Sequence, residues 1–181
     1  MGFLKYSFEE RFITLSELKK KYLRLVLISG LIIILDQMTK AVILNTMPLY
    51  QSVNVIPSFF DITHIHNMGG AFGVFAGQSL GVRKILFLFM SSVAICVIVC
   101  FYHKTPRTHP LLGAGFALIL GGAVGNLIDR FRIGEVVDFL DFYIGSWHWP
   151  AFNVADAAIS TGVGIFLIHM LLNKMPENNE K

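Results

Sequence analysis

The stretch LLGAGFALILGGAVGNLIDR, residues 111–130, decides the fold. From Leu111 to Ile128 it is apolar apart from Asn126, and sustained apolarity of about 18–20 residues is what a helix needs to cross a bilayer. Within it Gly113, Ala117, Gly121 and Gly125 stand four apart. On a helix that spacing leaves one face nearly bare, so another backbone can approach closely. The stretch is therefore expected to form the centre of a helix bundle. It ends in Asn126, Asp129 and Arg130, at i, i+3 and i+4, which places three polar side chains on one face where the helix leaves the apolar zone.

Working outward, three further runs qualify as spans: residues 22–44, 82–102 and 154–172. In the last, Ala158 and Gly162 repeat the small-residue spacing, as do Ser160 and Gly164. The composition agrees, with 54% hydrophobic residues and a mean hydropathy of +0.62, above the roughly 45–50% apolar content of a soluble domain. The 181 residues leave room for one domain. A formal charge of +3 and a pI near 8.9 are too mild, on so apolar a chain, for a nucleic-acid partner. Polar and amphipathic residues precede the first apolar run, so that run is expected to be an uncleaved anchor. Cys96 and Cys100, four apart in an apolar run, read as small buried residues.

Sidedness follows from the basic residues, which favour the cytoplasmic ends of spans. Lys5, Arg11, Lys19, Lys20, Lys21 and Arg24 precede or open the first span, Lys104 and Arg107 lie in the second connection, and residues 45–81 contain no Lys or Arg. Both termini are thus expected in the cytoplasm, with residues 45–81 and 129–153 outside; Arg83, Lys84, Arg130 and Arg132 run against this assignment. The alternation in SVNVI (52–56) and FDITHIH (60–66) predicts short strands. The expected fold class is an all-α membrane protein, a four-transmembrane-helix bundle with a small extracytoplasmic β-sheet between helices 1 and 2. Residues 1–21 form a cytoplasmic N-terminal arm, either amphipathic on the inner leaflet or disordered, residues 22–174 the membrane domain, and residues 175–181 a cytoplasmic tail. His64 and His66 share a strand face, but no Cys or third His has ligand-like spacing, so no metal is assigned.

Ionisable residues at membrane depth are costly and mark sites. Asp36 and Lys40 are spaced for an i, i+4 ion pair and read as a structural polar patch. Asn126, Asp129 and Arg130 read as a supporting network in which Arg130 holds Asp129 ionised. Asp138 has apolar neighbours in GEVVDFLD (134–141), and Asp156 falls in the first turn of the fourth span, where Asn153 is a good N-cap and the helix dipole favours a carboxylate. The connection that carries Asp138 and Asp156 enters adjacent helices, so the two can meet. Two carboxylates near hydrocarbon do not both ionise; one becomes base and the other acid. Such a pair activates water against an amide carbonyl without a metal or covalent intermediate. Ser79, Ser91, Ser92 and Ser160 have no His or Lys in an evident base position. A metal-dependent phospholipid transferase would pack its carboxylates within one helix, and an ion or proton carrier would space them through the bilayer. Here they are spread over several segments and, Asp36 aside, gather at one boundary.

The blocks DQMTK (36–40), NMGGAF (67–72), GGAVGNLIDR (121–130), VVDF (136–139) and FNVAD (152–156) together resemble the lipoprotein signal peptidase family, also called signal peptidase II, in the family's order and over residues 22–174. The resemblance implies a membrane aspartyl endopeptidase with a catalytic dyad at Asp138 and Asp156. It implies site-supporting roles for Asn67, Asn126, Asp129, Arg130 and Asn153, and places Asp36 and Lys40 in the first helix's polar patch. The implied substrate is a prolipoprotein with a diacylglyceryl-modified lipobox cysteine, cut just before that cysteine, with membrane lipids as the other partner and no cofactor. The implied location is the bacterial inner membrane, with the active site near the extracytoplasmic face. Two features depart from the pattern: Gly69-Gly70-Ala71-Phe72 stands where the family usually has Gly-Ala-Ala-Phe, and the N-terminal arm is longer than the family needs.

Overall fold

A computed structural model of the chain describes residues 8–68 and 79–172. The apolar runs form four helices, α1 (Phe8–Thr46), α2 (Leu80–Lys104), α3 (Pro110–Arg132) and α4 (Val154–Leu172), each long and apolar enough to cross a membrane. Two of them outrun the hydropathy that announced them. No glycine or proline interrupts residues 8–29, and their Glu, Lys, Leu and Arg are good helix formers, so α1 begins at Phe8 and the boundary expected at residues 21/22 lies inside it. α3 continues past Ile128 to Arg132, where Gly134 at φ +84° donates its N–H to the Arg130 carbonyl at 3.1 Å and ends the helix in a left-handed turn. The tail at residues 175–181 and most of the NMGGAF block lie outside the described residues.

The glycine face of α3 is where the other helices meet. A Cβ on Gly121 would sit 2.8 Å from Ile32 Cβ and 2.9 Å from the Ser29 carbonyl of α1, one on Gly113 would lie 3.6 Å from the Tyr102 ring of α2, and one on Gly122 would run into the Ala155 carbonyl of α4. Gly162 of α4 meets the Gly115 carbonyl in the same way, whereas Gly164 has open space around it and serves no packing. Half of the apolar window of α3 is buried in the protein (50%), against 6% of that of α2. α2 packs on α3 and is tied down at its C-terminal end, where Lys21 Nζ donates to the carbonyls of His103 (2.9 Å) and Thr105 (2.7 Å) and the Tyr102 hydroxyl donates to the Lys21 carbonyl (2.6 Å).

The sheet has four antiparallel strands in the order β1 (Ser52–Ile56), β2 (Phe60–Asn67), β3 (Val136–Ile144), β4 (Trp147–His148). The strands expected between the first two helices form as β1 and β2, but the expected sheet is corrected in extent, because β3 and β4 come from the α3–α4 connection. VVDFLDFYI is nearly continuously apolar and its aspartates break any period-two alternation, so it gave no strand signal of the half-exposed kind. Ile43 of α1 packs against Val137 and Phe139 of β3, fixing the sheet to the end of the bundle. At the sheet's far corner Phe59, Phe142, Tyr143, Trp147, Trp149 and Phe152 line a cavity of about 340 Å³, the aromatic composition favoured at a membrane–water boundary.

Candidate active site

Lys40 is the organising charge. It is 1% exposed, and its three N–H donors are matched to three acceptors: Asp36 Oδ2 at 2.9 Å, Asp129 Oδ2 at 2.7 Å and Asn126 Oδ1 at 2.9 Å. Asp36, four residues back on the same helix, also accepts from the Ala155 backbone N–H through Oδ1 (3.0 Å), which ties the start of α4 to α1. Asp129 also accepts the backbone N–H of Val137 (3.3 Å), anchoring β3 one residue before Asp138. Gln37 bridges the two carboxylates, donating to Asp36 Oδ2 (3.1 Å), Asp129 Oδ1 (3.0 Å) and the Gly125 carbonyl (3.2 Å).

One expectation changes. Lys40, not Arg130, is the cation paired with Asp129, because Lys40 reaches it from across the bundle. Arg130 instead donates to the Asn126 carbonyl (3.4 Å) and stands over the Phe87 ring at 5.6 Å. Neighbouring positions on one helix gave that pairing, and a long-range partner replaced it.

With its oxygen held by Lys40, Asn126 can turn only its amide nitrogen to Asp156, and donates to Asp156 Oδ1 at 2.7 Å. Asn153 connects both aspartates: its oxygen caps α4 by accepting the Asp156 N–H (2.9 Å), and its nitrogen donates to Asp138 Oδ1 (2.7 Å). Asn67, at the end of β2, donates to Asp138 Oδ2 at 3.0 Å. In the β2–β3 register Asn67 lies opposite Val136, so this is a diagonal cross-strand contact.

Asp138 is 2% exposed. Burial, aided by the nearby negative charge of Asp156, pushes its carboxyl up to about 7, against the opposing pull of the Asn67 and Asn153 hydrogen bonds and the Lys40 charge. Asp156 is partly open. The structure thus assembles a closed carboxyl that keeps a proton near neutrality beside an accessible one, which is the division of labour needed to activate water and protonate a leaving group.

Asn67, Asn126, Asp129, Asn153, Asp36 and Lys40 all fall into this one network. Arg130 joins through a backbone carbonyl. Asp141 is elsewhere, paired with His148 at 3.0 Å. The sequence places Gln37 in the polar patch of the first span but assigns it no bridging role, and it does not point to the Ala155 N–H at all. Gln37 carried a signal, a polar side chain beside Asp36 in an apolar run; the backbone donor carried none.

A family profile described as signal peptidase (SPase) II matches residues 28–172. A lipoprotein signal peptidase of Desulforapulum autotrophicum is 56% identical over 154 residues, 85% of this chain and 95% of that protein. That of Syntrophus aciditrophicus is 43% identical over 162 residues, 90% of this chain and 100% of the relative. A bacterial membrane enzyme solved by the in meso method at 2.3 Å resolution superposes with a TM-score of 0.76 and 32% identity, covering 87% of this chain and 93% of its own.

Proposed function

The chain belongs to the signal peptidase II family, and on that premise we propose that Asp138 and Asp156 are the dyad with which it hydrolyses the signal peptide of a prolipoprotein. It is a multi-pass bacterial membrane enzyme that removes signal peptides from prolipoproteins. The finer steps follow from the site. Asp156, partly open and held at one oxygen by Asn126, takes a proton from the attacking water. Asp138 gives its proton toward the amide as the tetrahedral species forms and collapses. Asn67 and Asn153 keep the Asp138 carboxyl aimed, and Lys40 carries none of the chemistry but fixes Asn126 and Asp129.

The substrate is a prolipoprotein whose lipobox cysteine already carries a diacylglyceryl group, cut on the amino side of that cysteine. The bare flanks of α2 and α4 suit a substrate that arrives with acyl chains in the bilayer. The basic residues around Lys19–Arg24 and Arg107 support cytoplasmic termini, and the dyad then lies near the extracytoplasmic face of the inner membrane. Residues 22–174 are the peptidase proper, flanked by the arm and tail.

The observation that carries this reading is the pair of asparagine-held aspartates on a strand and a helix, one carboxyl keeping its proton to about 7. A gel-shift cleavage assay tests it, using lipidated and unlipidated prolipoprotein. Asp138→Asn and Asp156→Asn each abolish cleavage while the protein remains folded in membranes, and the wild type cuts only the lipidated form. Full activity in either variant removes the dyad, and equal cleavage of both substrates removes the lipid requirement.

A further inference from the structure

The β2–β3 ladder carries a second polar chain on the face away from the dyad. His66 lies opposite Val137, and its Nδ1 stands 3.1 Å from Glu135 Oε2. This too is a diagonal cross-strand step, on the other side of the same strands and in the opposite sense to the one that joins Asn67 to Asp138. The chain continues: His66 Nε2 is 3.1 Å from His64 Nε2, and His64 Nδ1 is 2.8 Å from the carbonyl of Met47, just beyond the end of α1. His64 is 5% exposed, so water does not stand in for its two partners, whereas His66 and Glu135 keep about a fifth of their side-chain surface open (21% and 19%).

The contacts impose a proton count. A backbone carbonyl only accepts, so His64 Nδ1 carries a hydrogen. A carboxylate only accepts, so His66 Nδ1 carries one too. A neutral imidazole has one N–H, and two neutral rings so placed would aim the bare lone pairs of their Nε2 atoms at each other across 3.1 Å. That is a repulsion, not a hydrogen bond. Three contacts need three hydrogens, and two neutral imidazoles with a carboxylate supply two. Moving the third hydrogen onto Glu135 leaves the total unchanged, because each ring then donates in the direction of Met47.

We propose that His64, His66 and Glu135 form a proton-binding site holding one proton beyond those of two neutral imidazoles and a carboxylate, and that in its loaded form it positions Asn67 against Asp138. The first half stands on the contacts alone; the second rests on the dyad proposed above. Loaded, the site latches β2 to the start of β3 one residue away from Asn67. Emptied, the two Nε2 atoms repel, the His66–Glu135 contact is no longer an ion pair, and the end of the ladder that presents Asn67 loosens. Among the described residues, the other charged groups near this end include Arg83, whose guanidinium donates to Met68 Sδ at 3.3 Å, Lys84, whose side chain lies beside Gly134, and Arg130 and Arg132 in the last turn of α3, with Asp138 on the opposite face. α1 contributes the Met47 carbonyl, and Asp129 reaches β3 through the Val137 N–H.

The same pair of converging Nε2 atoms could instead grip a divalent cation, with Met47 and Glu135 orienting the rings from behind. The proton is favoured because, among the described residues, no group of three or more His, Cys, Asp or Glu could complete a metal site.

The experiment uses the full-length enzyme, ¹⁵N-labelled at histidine, in detergent micelles. Long-range ¹H–¹⁵N correlation reads the protonation of each ring nitrogen, with His66→Gln supplying the assignment. At neutral pH three of the four nitrogens of His64 and His66 carry hydrogen, and both Nε2 signals titrate together. In Glu135→Gln that joint titration moves toward acid, because the adjacent negative charge is gone. Turnover of lipidated prolipoprotein then falls several-fold above the new midpoint, with KM little changed. Two protonated nitrogens in the wild type overturn the proposal. So does stoichiometric zinc with both Nε2 atoms bare, which makes the site metallic. A Glu135→Gln enzyme that titrates as expected but turns over like the wild type at every pH overturns the link to Asn67 alone. The nitrogen count is independent of cleavage, so failure of the dyad and failure of the proton site are told apart.

Discussion

Replacing Lys40 by Met keeps most of the side chain's length and its apolar stem and removes its charge. The loss can be sized from the contacts. Asp36, 0% exposed, and Asp129, 4% exposed, would face each other without the ammonium that now sits 2.9 and 2.7 Å from them. Only the neutral Gln37 amide would join them. Breaking a buried ion pair by removing one partner costs about 3–5 kcal/mol, because the remaining charge has lost both water and partner. At roughly 2–4 °C per kcal/mol for a chain of this length, the unfolding temperature in detergent falls by roughly 6–20 °C. Activity suffers separately. Asn126 loses the donor that fixes its amide orientation, Asp156 loses a dependable hydrogen bond, and turnover drops about 10²-fold, the scale of a small misplacement at a reacting centre. The double variant Lys40→Met/Asp129→Asn recovers part of the thermal loss, since one uncompensated charge goes with the cation, but not the activity. Thermal unfolding and cleavage of lipidated prolipoprotein check both. An unfolding temperature within about 2 °C of wild type, less than 1 kcal/mol, would refute the role given to Lys40.

The Asp138 carboxyl, raised to about 7 mainly by burial, must keep its proton to act as the acid, so kcat/KM declines as pH rises through that value. Asn67→Ala removes a hydrogen bond that favours the carboxylate form, so the alkaline limb of the pH profile moves to higher pH while kcat falls; a move to lower pH contradicts the assignment. Gly125→Ala places a Cβ 2.6 Å from Asp36 Oδ2, which pushes the carboxylate off Lys40 and the Ala155 N–H; the unfolding temperature drops by several degrees, and a variant as stable as the wild type shows that α1 can give way. Prolonged dialysis against a chelator leaves cleavage unchanged, and loss of activity restored by a divalent ion reverses the metal-free reading.

What the sequence disclosed and what it withheld divide along physical lines. Spans declare themselves by unbroken apolarity, and helix proximity by glycines spaced four apart, so the bundle and the central place of α3 could be read from residues 111–130. The ends could not. Residues 8–21 are too charged to look like a span yet contain nothing to stop a helix, and α3 obeys Gly134 rather than the fall in hydropathy at Ile128. β3 went unread because an apolar strand has no alternation to show. In the site, contacts within a turn were legible, as with Asp36–Lys40 and the Asn153 cap. Partners distant in the chain were not: Asp129 met Lys40 across 89 positions rather than Arg130 beside it, and Glu135 gave no hint of meeting His66.

α2 has a mechanical consequence. Among the described residues it is fastened at its C-terminal end by Lys21 and Tyr102, packs mainly on α3, touches Met68 and Gly134 through Arg83 and Lys84 near its start, and buries little of its apolar length in protein. A helix that leans mainly on one other helix takes much of its lateral support from the surrounding acyl chains rather than from protein. Membrane thickness and lipid order therefore bear on how α2 is held, and rates measured in different detergents or nanodiscs compare lipid mechanics as well as chemistry.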